Sequence, residues 1–113
     1  MSSKPETQLV KDIRDYLHYR GAVTTRVNSG LTVLGSEKEN NKRVIRNAEA
    51  GTADIIGCYQ GRYFAIEAKI KPNKPTPDQE RFLESVREAG GLALVAYGLD
   101  DIDRAFDWEP YYV

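Results

Sequence analysis

Between Gly51 and Lys69 the chain reads GTADIIGCYQGRYFAIEAK, two short runs rich in Ile, Tyr and Phe set around Gln60-Gly61. A Gly-containing pair between two such runs predicts a β-hairpin closed by a two-residue turn. With Gln60 and Gly61 in the turn, Tyr59 pairs with Arg62, and the register carried outward sets Asp54 directly opposite Glu67. A four-residue loop would keep that register, whereas a three-residue loop would turn Asp54 to the other face. Lys69, two residues beyond Glu67, falls on the same face as the acids, and Ile66 and Ala68 fall on the other, towards the core. Cross-strand partners hold their Cβ atoms about 4.5–5.5 Å apart, where like charges repel.

Two carboxylates held that close need a compensating cation. A hard divalent ion such as Mg²⁺, bound through oxygens, would supply it. A lysine beside such an ion could orient or deprotonate a water, or steady charge developing on a phosphate. The same residues also fit a salt ladder at a partly exposed sheet edge, with Lys69 bridging the acids. Gly51-Thr52-Ala53-Asp54 by itself also fits a turn. On spacing alone, both readings stand.

The surrounding pattern supplies the rest of an α/β domain. Leu9, Val10, Ile13, Tyr16 and Leu17 recur at helical spacing and predict a helix over 4–20, stopped at Gly21, with Ser3 and Glu6 spaced as a capping box. A short strand is expected over 22–27. Residues 35–43 read as a mobile polar loop, with short strands possible in its flanks at 31–34 and 44–45. Thr76-Pro77-Asp78-Gln79 opens a second helix, with Thr at the N-cap, Pro at the first helical position and Gln three residues on. That helix turns Phe82, Leu83 and Val86 inward and ends at Gly90-Gly91.

The run LALVAY at 92–97 has no polar face, as in a strand covered on both sides, and strand-helix-strand order makes it parallel to its neighbour. Asp100 is placed to cap a last short helix. The expected order is α-β-β-β-α-β-α, a mixed β-sheet flanked by helices, and 113 residues make one domain, 1–113.

Glu6 lies on the inward stripe of the first helix, where it could reach the sheet edge or simply complete the box with Ser3. Gln79 has the same two roles open, as a capping residue and as a group facing the sheet. Cys58, the only cysteine, excludes an internal disulfide, and no base is near in sequence to activate it; it reads as a buried strand residue, and His18 as a surface one. Trp108, Tyr111 and Tyr112 suit core closure or a subunit contact.

A net charge of −1 argues against a nucleic-acid partner, but its distribution qualifies that. Residues 38–46 carry a local +3 and 62–74 another +3, while 100–109 carry −4. No apolar run approaches a membrane span, and no leader is expected from residues 1–6, so the expected setting is a reducing cytoplasm.

Taken in order, Glu6, Gly51-Thr52-Ala53-Asp54, Glu67-Ala68-Lys69 and Thr76-Pro77-Asp78-Gln79, with the Gly90-Gly91 break, resemble the VRR-NUC family of the PD-(D/E)XK superfamily. The resemblance runs from about residue 6 to about residue 103 and is to the small stand-alone, virus-type members. It implies a restriction-endonuclease-like fold and a Mg²⁺- or Mn²⁺-dependent endonuclease acting on DNA.

By the resemblance, Asp54, Glu67 and the Ala68 carbonyl would bind the metal, with Glu6 completing the acidic cluster. Lys69 would activate or position the attacking water, and Gln79 would lie close by. Where the superfamily has proline before the aspartate this chain has Ala53, a loss of backbone restraint and of no ligand. The stand-alone members resemble Holliday-junction resolvases and pair as homodimers, which implies paired cuts in branched DNA. Arg43, Arg46, Lys71 and Lys74 are placed to contact phosphates, and the 35–46 loop to close over the substrate. A flap, nick or duplex nuclease of the same fold, a catalytically silent DNA-binding module, and a small interaction domain using the tail aromatics are the alternatives.

Overall fold

The computed structural model describes residues 4–27, 31–34, 40, 43–46, 49–106 and 108. Helix α1 (Lys4–Tyr19) leads into β1 (Val23–Arg26). Strands β2 (Leu31–Leu34) and β3 (Arg43–Arg46) pair antiparallel as a separate two-stranded sheet. Then follow β4 (Ile55–Tyr59), β5 (Arg62–Ala68), α2 (Pro77–Glu88), β6 (Leu92–Ala96) and α3 (Leu99–Ala105). The main sheet runs β1-β4-β5-β6, antiparallel between the first three strands and parallel between β5 and β6. Its strands and the helices follow the expected order, and β2 and β3 form in the flanks of the polar loop.

The hairpin closes as the turn chemistry dictates. Gln60 and Gly61 both take positive φ, 54° and 79°, the signature of a turn whose twist matches the strands it joins. Tyr59 therefore pairs with Arg62 and Ile55 with Ile66. The period of two along β5 sorts its side chains: Phe64, Ile66 and Ala68 enter one core with Val10, Ile13 and Leu17 of α1 and Ile102 of α3. Ala65 enters the other, with Ala53, Ala93, and Leu83 and Val86 of α2. The molecule is thus three layers, with α1 and α3 on one face of the sheet and α2 on the other.

Strand β6 is the edge of the sheet, yet it is covered on both faces, since Ala93 packs towards α2 and Ala96 towards α1 and α3. Trp108 closes the first core, stacked on Phe106 with ring centroids 4.7 Å apart and edge-on to Tyr59 at 5.0 Å; Tyr111 and Tyr112 lie outside the described residues, as does Ser3 of the expected first cap.

Two expectations are corrected. Cys58 is exposed, not buried. Its side faces α2, but that helix lies over β5 and β6, and Cys58 sits on β4 between its exposed register partners Val23 and Tyr63. Asp100 does not cap α3: Gly98 holds the N-cap position, and Asp101 instead accepts the Tyr97 N–H at 2.7 Å. No helix among the described residues is long and apolar enough to cross a membrane.

Candidate active site

The ends of β4 and β5 meet α2 at one end of the sheet. Asp54 stands just before β4, its backbone oxygen accepting from Val27 N–H at 2.7 Å, so β1 pins its position. Its Oδ2 accepts from the Ala68 N–H at 3.0 Å, which ties the side chain across to the end of β5. Glu67, the penultimate residue of β5, is 2% exposed. Its Oε2 accepts from Gln79 Nε2 at 3.0 Å and lies 3.6 Å from Lys69 Nζ, while its Oε1 is buried with no hydrogen-bond partner. The Lys69 backbone N–H donates to Ala96 O at 3.0 Å, anchoring the lysine to β6.

Gln79 has both of the roles the sequence left open. Thr76 Oγ1 accepts from the Gln79 N–H at 3.2 Å, and Gln79 Oε1 accepts from the Thr76 N–H at 2.8 Å, a complete capping box. The amide's other end is the group that reaches Glu67. Gly51 brings the two halves together: at φ 84° it packs so close to α2 that a Cβ there would stand 2.4 Å from the Asp78 carbonyl oxygen.

Burial, and after it the charge of Asp54, pushes the Glu67 carboxyl up to about 8, with Lys69 acting in the opposite direction. A buried acid of that kind, with one oxygen engaged and one orphaned, is a site poised for a cation. Two carboxylates and a strand-end backbone form an all-oxygen donor set of the sort that hard divalent ions take. The residues present fit Mg²⁺ or Mn²⁺.

Glu6 is not brought into this pair. It is half-buried in the first turn of α1, and among the described residues no three His, Cys, Asp or Glu side chains converge to hold a metal ion. Lys71 lies in the exposed loop after Lys69, its Nζ 5.6 Å from the centre of the Tyr97 ring, and Lys74 follows in the same loop. Arg43 and Arg46 stand at the ends of β3, paired in register with Leu34 and Leu31; their side chains, and residues 35–39, 41 and 42 of the expected closing loop, lie outside the described residues.

Sequence reasoning missed Tyr97, whose hydroxyl donates to Asn73 O at 3.0 Å and braces the lysine-bearing loop. Its signal was its place as the last residue of LALVAY, one step past β6 and level with Lys69.

No protein-family model matches the sequence, and no curated protein matches it. Among solved structures, one described as a VRR_NUC domain superposes with a TM-score of 0.62 at 19% sequence identity, covering 90% of this chain and 94% of that one. The two share a fold: a mixed four-stranded sheet flanked by helices.

Proposed function

We propose that this chain is a nuclease of the VRR-NUC type that hydrolyses DNA phosphodiester bonds with the help of Mg²⁺ or Mn²⁺. The observation that carries the reading is the buried Glu67 beside the half-buried Asp54, with an unpartnered Glu67 oxygen and Lys69 next to it, on a fold shared with a VRR_NUC domain. Asp54, Glu67 and the Ala68 carbonyl would hold the ion. When bound, it supplies Lewis-acid charge to the phosphate oxygens.

The protein's own part is orientation. The Ala68 N–H fixes Asp54 and the Gln79 amide fixes Glu67, so neither carboxylate has to be ordered when substrate arrives. Lys69 stands where it can orient or deprotonate the attacking water and offset charge at the phosphate. Lys71 and Lys74, exposed in the loop that follows Lys69, would contact the strand's phosphates. We further propose branched DNA as the preferred substrate and a homodimer as the working unit, since paired cuts in opposed strands need two sites.

The test is cleavage of a four-way junction and a matched linear duplex with Mg²⁺, Mn²⁺ or EDTA, with Lys69→Ala and Asp54→Asn beside the wild type. The expected result is paired, metal-dependent cutting near the branch, reduced at least 10²-fold in both variants. A rise in the wild-type melting temperature with Mn²⁺, absent in Asp54→Asn, is expected alongside. Equal cutting of the linear duplex would keep the chemistry and remove the branch preference. Binding without cutting by folded protein would make the acids structural and the chain a binding module.

A further inference from the structure

Alongside β1, helix α1 leaves a groove of about 410 Å³ whose walls carry Lys11, Arg14, His18 and Arg26. Asp15 is the one acid among its described lining residues, and Lys11 already pairs with it at 2.8 Å. Two guanidinium groups remain: among the described residues neither Arg14 nor Arg26 forms an ion pair. Arg14 is half-buried, its Nε donating to Thr24 Oγ1 at 3.0 Å, and His18 Nε2 meets the same hydroxyl at 2.7 Å. That bond orients the Arg14 fork and leaves its two terminal nitrogens for a ligand. With Lys11, Arg14 and Arg26 against the single acid Asp15, the groove carries an excess of positive charge on a chain whose net charge is −1, and an anion would complement it.

The groove lies on the α1 face of the sheet, and Arg26 brings it to the end of the sheet that carries Asp54. Arg26 pairs in register with Ile55, the residue after Asp54, and the next residue, Val27, donates to Asp54 O at 2.7 Å. Strand β1 is the edge strand opposite β6, so a ligand crossing its edge meets no further strand of that sheet.

We propose that this groove binds successive phosphate groups of a nucleic-acid strand and leads that strand over the β1 edge to Asp54 and Glu67. The direction of the path rests on the nuclease reading above; the binding does not. Guanidinium forks match phosphodiester oxygens two bonds at a time, and such contacts position a strand without reading its sequence.

The experiment is anisotropy of short labelled single-stranded and duplex DNA in EDTA over a salt series. The proteins are wild type, Arg26→Ala, the Arg14→Gln/Arg26→Ala pair, and Arg104→Ala as a control paired with Asp101 on α3. The double variant is expected to bind about ten- to a hundredfold more weakly, with the slope of log affinity against log salt reduced by about 1.5–2. The control stays at wild type. Arg26 is exposed, so its single variant keeps the test valid should the double variant unfold.

Unchanged affinity and slope in the groove variants overturn the proposal, and so does a wild type that binds no nucleic acid. Inorganic phosphate or a nucleoside monophosphate competing as well as the strand, phosphate for phosphate, overturns it too, by making the groove a small-anion site. Groove-dependent binding without metal-dependent cutting leaves the groove and removes the nuclease. Metal-dependent cutting with an unchanged salt slope does the reverse.

Discussion

In the folded chain the Glu67 carboxyl titrates near 8, against an ordinary value of 4.5. Between those limits the folded state binds a proton that the unfolded state has released, so folding stability is greatest on the acid side and falls as pH rises towards 8. Glu67→Gln removes that titration and keeps an oxygen for the Gln79 amide. The variant is expected to gain about 1–3 kcal/mol on wild type between pH 4 and pH 8, the gain setting in above the ordinary value of 4.5, as read by urea melts in EDTA. A wild type whose stability is flat across that range would mean that Glu67 is ionised throughout.

The opposition of Asp54 and Glu67 was legible in the sequence because a two-residue turn fixes every pair behind it. The depth of Glu67's burial was not, because it depends on α2 arriving over the end of β5.

At the scale of the element, the strongest local signals were the ones obeyed. Thr76-Pro77-Asp78-Gln79 caps α2 with donors and acceptors only three residues apart, so no distant contact could override it. The start of α3 had no such reciprocal pair, and its first-turn acids were free to reach elsewhere; Asp101 took the Tyr97 N–H. Gly51 is where two elements lock. Gly51→Ala must admit a methyl against the Asp78 backbone and adopt a φ of 84° that L side chains avoid. The expected cost is about 2–4 kcal/mol of stability. Its distinguishing mark would be a larger fall in activity than in folded fraction, because the residue sets how the Asp54 segment approaches the helix of Gln79. A variant that loses stability and activity in proportion would show that Gly51 serves packing alone.

Across the whole molecule, lateral order is the property the sequence carried least well. Periodicity tells which way a side chain faces and says nothing of how far a helix on that face extends. Cys58 shows the difference: its strand and its face were readable, its exposure was not, because α2 spans β5 and β6 and leaves β1 and β4 uncovered at that end. Glu6 shows the same limit, since its approach to the acids depends on how α1 is set across the sheet. Cys58 lies four residues along β4 from Asp54, about 13 Å for extended chain. Native protein is therefore expected to react with a thiol reagent at a rate within about tenfold of the denatured chain. If Mn²⁺ raises the melting temperature as proposed, the modified protein should show the same rise. A thiol protected until unfolding would place another surface over that face.

One amide of Gln79 completes the first turn of α2 and also holds Glu67. The chain therefore has a built-in interlock: should the start of that helix fray, the carboxylate loses its fixed pose while most of both cores remains. Warming is therefore expected to separate two events in this molecule, the Glu67 side chain coming adrift first and the packed layers giving way afterwards.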